Sequence, residues 1–189
     1  MDKSVIILIL QAMVMYLLVL GAHSLRRRWG PVHFYAVIGG ITAIMSWVTD
    51  AGLTVNMGGI TFVVGSTVFY TSLLLGVFVV YAFDGPKAAR IAISTVMGIS
   101  ILMPLTAAVL RFQMDLGSSS AAVPVPLPSL RINTASVVAT FLDLIFLAIA
   151  WEFLGRPGFR MRLWFRTWLT LLGVMWLDVL LFATGAFAG

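Results

Sequence analysis

Cysteine is absent from this chain of 189 residues, and histidine occurs only twice. Without cysteine, disulfides, thiolate metal sites and cysteine nucleophiles are excluded, and two histidines leave little for metal chemistry. Charged residues make up 10% of the chain, against about 25% in soluble domains, so they are too few to cover a soluble globule. We therefore expect neither a cytosolic enzyme nor a nucleic-acid-binding protein, and we expect no cofactor and no metal.

Hydrophobic residues are abundant instead, at 61% of the chain. A helix needs ~20 mainly apolar residues to cross the hydrocarbon core of a bilayer. Six runs meet this condition, and the turn Asp84-Gly85-Pro86 reads as a helix stop followed by a restart. We predict an all-α, integral membrane bundle of six transmembrane helices that forms one domain over residues 1–189. Its spans are approximately 4–24, 33–52, 60–82, 89–111, 132–154 and 165–187.

Basic residues predict the orientation, because Lys and Arg near helix ends tend to stay on the cytoplasmic side. The first, third and fifth connections hold nine of them, and the opposite side holds three, namely Lys3, Arg111 and Arg131. We expect both termini outside, in the cell inner (plasma) membrane. The net charge of +5 then reflects this topology and contact with anionic lipid headgroups, and not a nucleic-acid patch.

Two acidic residues fall where a bilayer tolerates them least. Asp143 lies near the middle of the fifth span and Asp178 near the middle of the sixth, so we expect both at similar depth. A charge at mid-membrane costs roughly 2.5–3.5 kcal/mol on insertion scales, and no Lys or Arg lies at that depth. Each carboxyl group must therefore be hydrated in a cavity, hydrogen-bonded, bound to a cation or protonated.

Polar residues form a stripe on the fifth span. Asn133, Ser136, Thr140 and Asp143 are separated by three, four and three residues, so they share one face of a helix. This face either lines a cavity that binds a solute or hydrogen-bonds to a neighbouring helix, as Ser and Thr often do in membranes.

Three more residues are candidates for contact with a solute. Thr61 and Ser72 lie near one face of the third span with two glycines, and such a strip of small residues admits either a packed helix or a flat ligand. Trp176, two residues before Asp178, either stacks on a planar ligand or faces lipid. His23 and His33 flank the basic cluster after the first span, and no set of a nucleophile, base and acid is recognisable. We therefore predict no enzymatic activity.

From the second span onward, the sequence resembles the queuosine precursor transporter family, also called the vitamin uptake transporter family. The segment that matches best runs from residue 69 to residue 90 and ends in YAFDGPKAAR. Residues 132–136, INTAS, resemble the family's Ala-Ser helix, which has an embedded Asp. Leu172-Gly173, Asp178 and Phe187 resemble its helix with Gly, Asp and Phe. The acids that the family carries late in the helix before its Gly turn have no counterpart, because residues 77–82 are apolar or aromatic.

The resemblance implies a fold similar to the substrate-binding subunits of energy-coupling-factor transporters. It also implies uptake of a small planar polar solute, such as a 7-deazaguanine-type queuosine precursor. We expect this solute to bind at Asn133, Ser136, Thr140, Asp143, Asp178, Trp176, Thr61 and Ser72, within the lipid bilayer and with proton or cation coupling left open. The alternative is a non-transporting membrane sensor, or an assembly subunit of a larger membrane complex that has a partner membrane subunit.

Overall fold

A computed structural model describes residues 3–57, 59–116, 130–156 and 161–187. Six α-helices account for most of them, and six helical segments are long and apolar enough to cross a membrane, the third of which, Gly65–Asp84, consists of α3 and the π-helix before it. The prediction of an all-α membrane bundle is therefore confirmed. The helices are α1 (Lys3–Trp29), α2 (Val32–Asp50), α3 (Thr71–Asp84), α4 (Pro86–Leu116), α5 (Leu130–Leu154) and α6 (Leu163–Phe187).

The chain packs as two compact units, Met1–Pro128 and Ser129–Gly189. The first contains α1 to α4, and the second contains the hairpin of α5 and α6. The expectation that the whole chain forms one domain stays a prediction.

The third span begins later than the apolar run predicted, because the start of that run forms a β-strand. Strand β1 (Thr54–Met57) pairs antiparallel with strand β2 (Ile60–Val63). Both strands are rich in β-branched residues, which favour extended backbone, and Gly59 in the turn between them has a φ of 86°. Helical structure starts only at Gly65, with a π-helix (Gly65–Tyr70) that continues directly into α3.

Helix α3 forms the core of the first unit. It is apolar on nearly all sides, as expected of a helix that neighbouring helices surround, and it packs against α1 and α4 and, to a lesser extent, α2. Gly76 marks its closest approach to α1 and α2. A Cβ atom at this position would clash with Ile38 of α2 and lie 3.2 Å from Val19 of α1. Gly76 therefore permits tight packing of three helices.

The predicted stop and restart at Asp84-Gly85-Pro86 is confirmed. Helix α3 ends at Asp84, Gly85 has a φ of 84°, and α4 begins at Pro86. Glycine accommodates a positive φ without a Cβ penalty, and proline is favoured at the first helical position, where its missing N–H costs nothing. The C-terminal ends of α1 and α3 meet at this side of the unit.

Candidate functional site

The polar stripe of α5 leads into the interior of the structure. Asp143 is 0% exposed and Thr140 is 4% exposed, whereas Ser136 is only half-buried. Asn133 belongs to α5, but its side chain lies outside the described part of the chain. The residues deepest in the stripe are therefore Thr140 and Asp143.

Helices α5 and α6 pack against each other as an antiparallel hairpin, and three contacts define their register. Near the connection between the two helices, Arg166 Nε donates to the carbonyl oxygen of Trp151 over 3.0 Å, and the guanidinium group stacks on the indole ring 3.6 Å from its centroid. Further along, a Cβ atom at Gly173 would lie 3.2 Å from the ring of Phe146. At the far end, a Cβ atom at Gly185 would lie 3.0 Å from Ala135.

This register brings the two acidic residues of the hairpin together. The carboxyl groups of Asp143 and Asp178 are hydrogen-bonded to each other, and Asp178 is half-buried. A hydrogen bond between two carboxyl groups requires a proton on at least one of them, because a carboxylate can only accept. The structure therefore places these two acids, which we call the acid pair Asp143–Asp178, in the apolar part of two candidate membrane spans.

A second buried polar group lies on the same side of α6. Thr170, Val174 and Asp178 are spaced by four residues and form one row along the helix. Thr170 is 0% exposed, and its hydroxyl oxygen has no hydrogen-bond partner among the described residues. An unpaired hydroxyl in the interior costs free energy unless something else satisfies it. Thr170 is not among the residues predicted from the sequence, although its spacing of eight residues from Asp178 is visible there.

Trp176 does not join the acid pair. Its side chain is 65% exposed, because residues two positions apart point to nearly opposite sides of a helix with 3.6 residues per turn. Its exposure fits the alternative of a lipid-facing tryptophan, and a stacking role for Trp176 stays a prediction.

Thr61 and Ser72 do not share a helical face, contrary to expectation. Thr61 belongs to β2, where it is exposed and donates to Asn56 Oδ1 over 2.5 Å. Ser72 is fully buried in α3 and donates to the carbonyl oxygen of Val68 over 2.6 Å, within its own helical segment. The Ser72 hydroxyl therefore bonds to the backbone of its own helical segment. The prediction that Thr61 and Ser72 share one helical face is wrong, and their contact with a solute stays a prediction.

The first unit contains a charged cluster that was not predicted from the sequence. Asp84 at the end of α3 accepts hydrogen bonds from Arg26 Nε over 2.8 Å and from His23 Nε2 over 2.9 Å, both in α1. Arg26 Nη1 also lies 3.3 Å from His23 Nδ1. An arginine can only donate, so in this contact Nδ1 of His23 is the acceptor. This cluster joins the C-terminal ends of α1 and α3.

The neighbouring His33 is occupied differently. Its Nε2 lies 2.7 Å from the carbonyl oxygen of Ala22, to which it donates, and its ring packs edge-on against Trp29. Within the described ranges, no group of three or more His, Asp and Glu side chains is arranged to hold a metal ion. His33 thus links the start of α2 to α1, and His23 links α1 to the end of α3.

Six apolar helices and a sparsely charged sequence define a multi-pass integral membrane protein. Within that class, the chain belongs to the vitamin uptake-like sensor family, whose family model matches residues 12–189. The expected relationship to vitamin uptake proteins is thereby confirmed at the level of the family. No curated protein and no solved structure gives a significant match to the chain.

Proposed function

We propose that this protein is a membrane sensor that binds a small planar polar solute at the acid pair Asp143–Asp178. The observation that carries the proposal is the hydrogen bond between two carboxyl groups in membrane-spanning helices. Ionisable residues within a membrane are costly and commonly mark a ligand or ion site. Neither carboxyl group is needed to close a helix or a turn, so a role in binding accounts for their presence.

The chemistry of the pair favours solutes that donate hydrogen bonds. A carboxylate offers about four acceptor positions, and a protonated carboxyl group adds one donor. Ring and exocyclic N–H groups of a planar base match this set, and the buried hydroxyl of Thr140 lies one helical turn from Asp143 on the same face of α5. The site thus suits recognition and needs no reactive group, which supports binding over catalysis.

A sensing role is supported by the largely apolar interior of the first unit. Its core is the apolar helix α3, and the buried hydroxyl groups of Thr42 and Ser72 donate to the carbonyl oxygens of Ile38 and Val68 in their own helical segments. The family description, vitamin uptake-like sensor, also supports this role.

Transport is the second candidate, because a carboxyl pair that holds a proton is also the kind of group that couples proton movement to solute uptake. A 7-deazaguanine-type queuosine precursor remains the candidate solute in both cases. We further propose an inner-membrane location with both termini outside, on the asymmetry of basic residues, and a partner membrane subunit that receives the signal.

Binding and uptake of labelled 7-deazaguanine distinguish these functions. The full chain is placed in nanodiscs for binding and in proteoliposomes for uptake, as wild type, Asp143→Asn, Asp178→Asn and the exposed control Trp176→Phe. Loss of one charge-assisted hydrogen bond, about 1.5–3 kcal/mol, should weaken binding by about 10-fold to 150-fold in each Asn variant. The control should bind like wild type.

Saturable binding without uptake is the result expected of a sensor. Uptake above that of empty liposomes, reduced in both Asn variants, would show that the protein is a transporter and not only a sensor. Equal binding by all four proteins would remove the acid pair from the site and refute both functions as stated.

A further inference from the structure

We propose that the first unit binds one anionic phospholipid of the bilayer in a groove between α1 and α4, where Arg27 and Arg90 hold the lipid phosphate. The groove lies over α3, and the half-buried Ala82 and the exposed Phe83 are at its end. No residue of the acid pair takes part, so this lipid site is independent of the proposed solute site and goes beyond it.

The ends of four helices meet on one side of the first unit. Side-chain hydrogen bonds join the end of α1 to the end of α3, the start of α2 to α1, and the start of α2 to the start of α4. Five basic residues lie on this side, namely Arg26, Arg27, Arg28, Lys87 and Arg90. Asp84 is the one acid in residues 22–35 and 80–90, and it is already paired with Arg26. The other four cations make no ion pair with the described residues, so their charge attracts an anion.

The two arginines at the end of α1 that lack an acidic partner point in different directions. Arg28 is nine residues after the fully buried Val19, which is about two and a half helical turns, so it points away from the unit. Arg27 is eleven residues after Tyr16, which is about three turns, so the two share a face. The Tyr16 hydroxyl lies 2.8 Å from that of Thr71, at the start of α3. Arg27 therefore lies on the side of α1 that is next to α3.

The two cations at the start of α4 differ in the same way. Lys87 is nine residues before the fully buried Val96, so it points away from the unit. Arg90 is nine residues before Ile99, and the side chain of Ile99 lies against Gly39 of α2. Arg90 therefore points away from α2. Because α4 packs against both α2 and α3, Arg90 lies towards the side of α4 that is next to α3.

Helix α3 exposes one narrow stripe between these two arginines. Among residues 71–82, those that are not buried are Thr71, Leu75 and Ala82. Their spacings of four and seven residues place them on one face of the helix. Helix α3 packs against α1 and against α4, so this stripe is the base of a groove with one helix on each side. The groove leads from Arg27 and Arg90 into the apolar part of the span.

A phospholipid with a net negative charge fits both parts of this groove. Arginine binds phosphate in a bidentate arrangement, and basic pockets between membrane helices bind anionic headgroups. Trp29 and Phe83 are 68% and 70% exposed, and aromatic rings concentrate at the membrane–water interface, so this side of the unit lies at headgroup level. Arg90 begins about 6 Å deeper than Pro86, and its long side chain extends back to the headgroups. The apolar stripe below suits an acyl chain, which a soluble phosphate compound lacks.

Native mass spectrometry of the full chain tests the inference. The protein in detergent is titrated with phosphatidylglycerol or with phosphatidylcholine of the same acyl chains, which gives a Kd for the first lipid bound. The site variants are Arg27→Gln and Arg90→Gln. The matched controls are Arg28→Gln and Lys87→Gln, which remove the same charge from the same helix ends but on the faces that point away from the unit.

Wild type should bind phosphatidylglycerol at least about fivefold more tightly than phosphatidylcholine. Each site variant should lose about fivefold in affinity for phosphatidylglycerol, which is the contribution typical of one cation near a lipid surface. The two controls should stay within about twofold of wild type. Arg27→Lys and Arg90→Lys keep the charge and should retain more affinity than the Gln variants, which separates loss of charge from loss of folding.

Four results would overturn the inference. Equal losses in all four Gln variants would show a general attraction of the basic side for lipid, without a site between α1 and α4. Equal affinity of wild type for the two lipids, or displacement of phosphatidylglycerol by inorganic phosphate, would exclude an anionic phospholipid as the ligand. Equal losses in the Lys and Gln variants would show that charge is not what binds the lipid. None of these results affects the 7-deazaguanine measurement, which tests the acid pair separately.

Discussion

Replacing Asp84 with Asn should destabilise the first unit by about 2 kcal/mol. The carboxylate accepts from Arg26 Nε at 2.8 Å and from His23 Nε2 at 2.9 Å, and the side chains of Arg26, His23 and Asp84 are 17%, 8% and 26% exposed. The cluster is therefore largely shielded from solvent, so the small stabilisation energies typical of ion pairs on the surface do not apply to it.

The magnitude follows from what Asn can still do. Its amide oxygen accepts from one partner, but its NH2 group faces the other partner's N–H, and two donors cannot bond. One hydrogen bond to a charged group is lost, about 1.5–3 kcal/mol, and the other loses its charge on the acceptor. A loss of about 2 kcal/mol corresponds to a roughly 30-fold change in the unfolding equilibrium.

Reversible unfolding in mixed micelles measures this difference. Asp115→Asn, at the exposed end of α4, is the matched control and should change stability by less than about 0.5 kcal/mol. A double-mutant cycle with Arg26→Ala should give a coupling energy of about 1–2 kcal/mol with Asp84→Ala. A change below about 0.5 kcal/mol for Asp84→Asn, with no coupling to Arg26, would refute the argument that this cluster ties α1 to α3.

Three further predictions use the same unfolding assay or the binding assay. Gly76→Ala should destabilise the first unit by about 1–3 kcal/mol, because the added Cβ would clash with Ile38. The control Gly98→Ala, at a position with open space around it, should be neutral or stabilising by up to about 1 kcal/mol. Equal effects of the two substitutions on stability would contradict the tight packing at Gly76. Thr170→Val should stabilise the ligand-free protein by about 1 kcal/mol by removing an unpaired buried hydroxyl, and a loss of stability would show that the hydroxyl is satisfied. Trp176→Ala should leave 7-deazaguanine binding within about twofold of wild type, because the side chain is 65% exposed, and a tenfold loss would restore a stacking role.

The six helices were predictable because hydropathy over ~20 residues is a strong one-dimensional property. The β-hairpin was not, because its second strand, residues 60–63 (ITFV), continues directly into the apolar run of the third span. Alternation of β-branched residues around the glycines was the available indication, but the longer apolar run outweighed it. Whether the chain forms a strand or a helix before the third span thus depends on the glycine-containing turn between β1 and β2, and not on hydropathy.

For the site, sequence spacing placed Asp143 and Asp178 at one depth, but it could not show that they touch. Contact depends on the rotation of α5 against α6, which contacts such as Gly173 with Phe146 determine. The side chains of Trp176 and Asp178 point to nearly opposite sides of α6, and this separation was predictable from the helical period of 3.6 residues. The partners of Asp84 were missed because the residue was interpreted only as part of a turn, while His23 and Arg26 lie 61 and 58 residues away.

The central claim, a carboxyl pair that holds protons within the membrane, is tested most directly by infrared spectroscopy of the full chain in bilayers at neutral pH. The account predicts a C=O stretching band of protonated carboxyl groups in wild type, which disappears in the double variant Asp143→Asn with Asp178→Asn. Identical spectra for wild type and the double variant would contradict it.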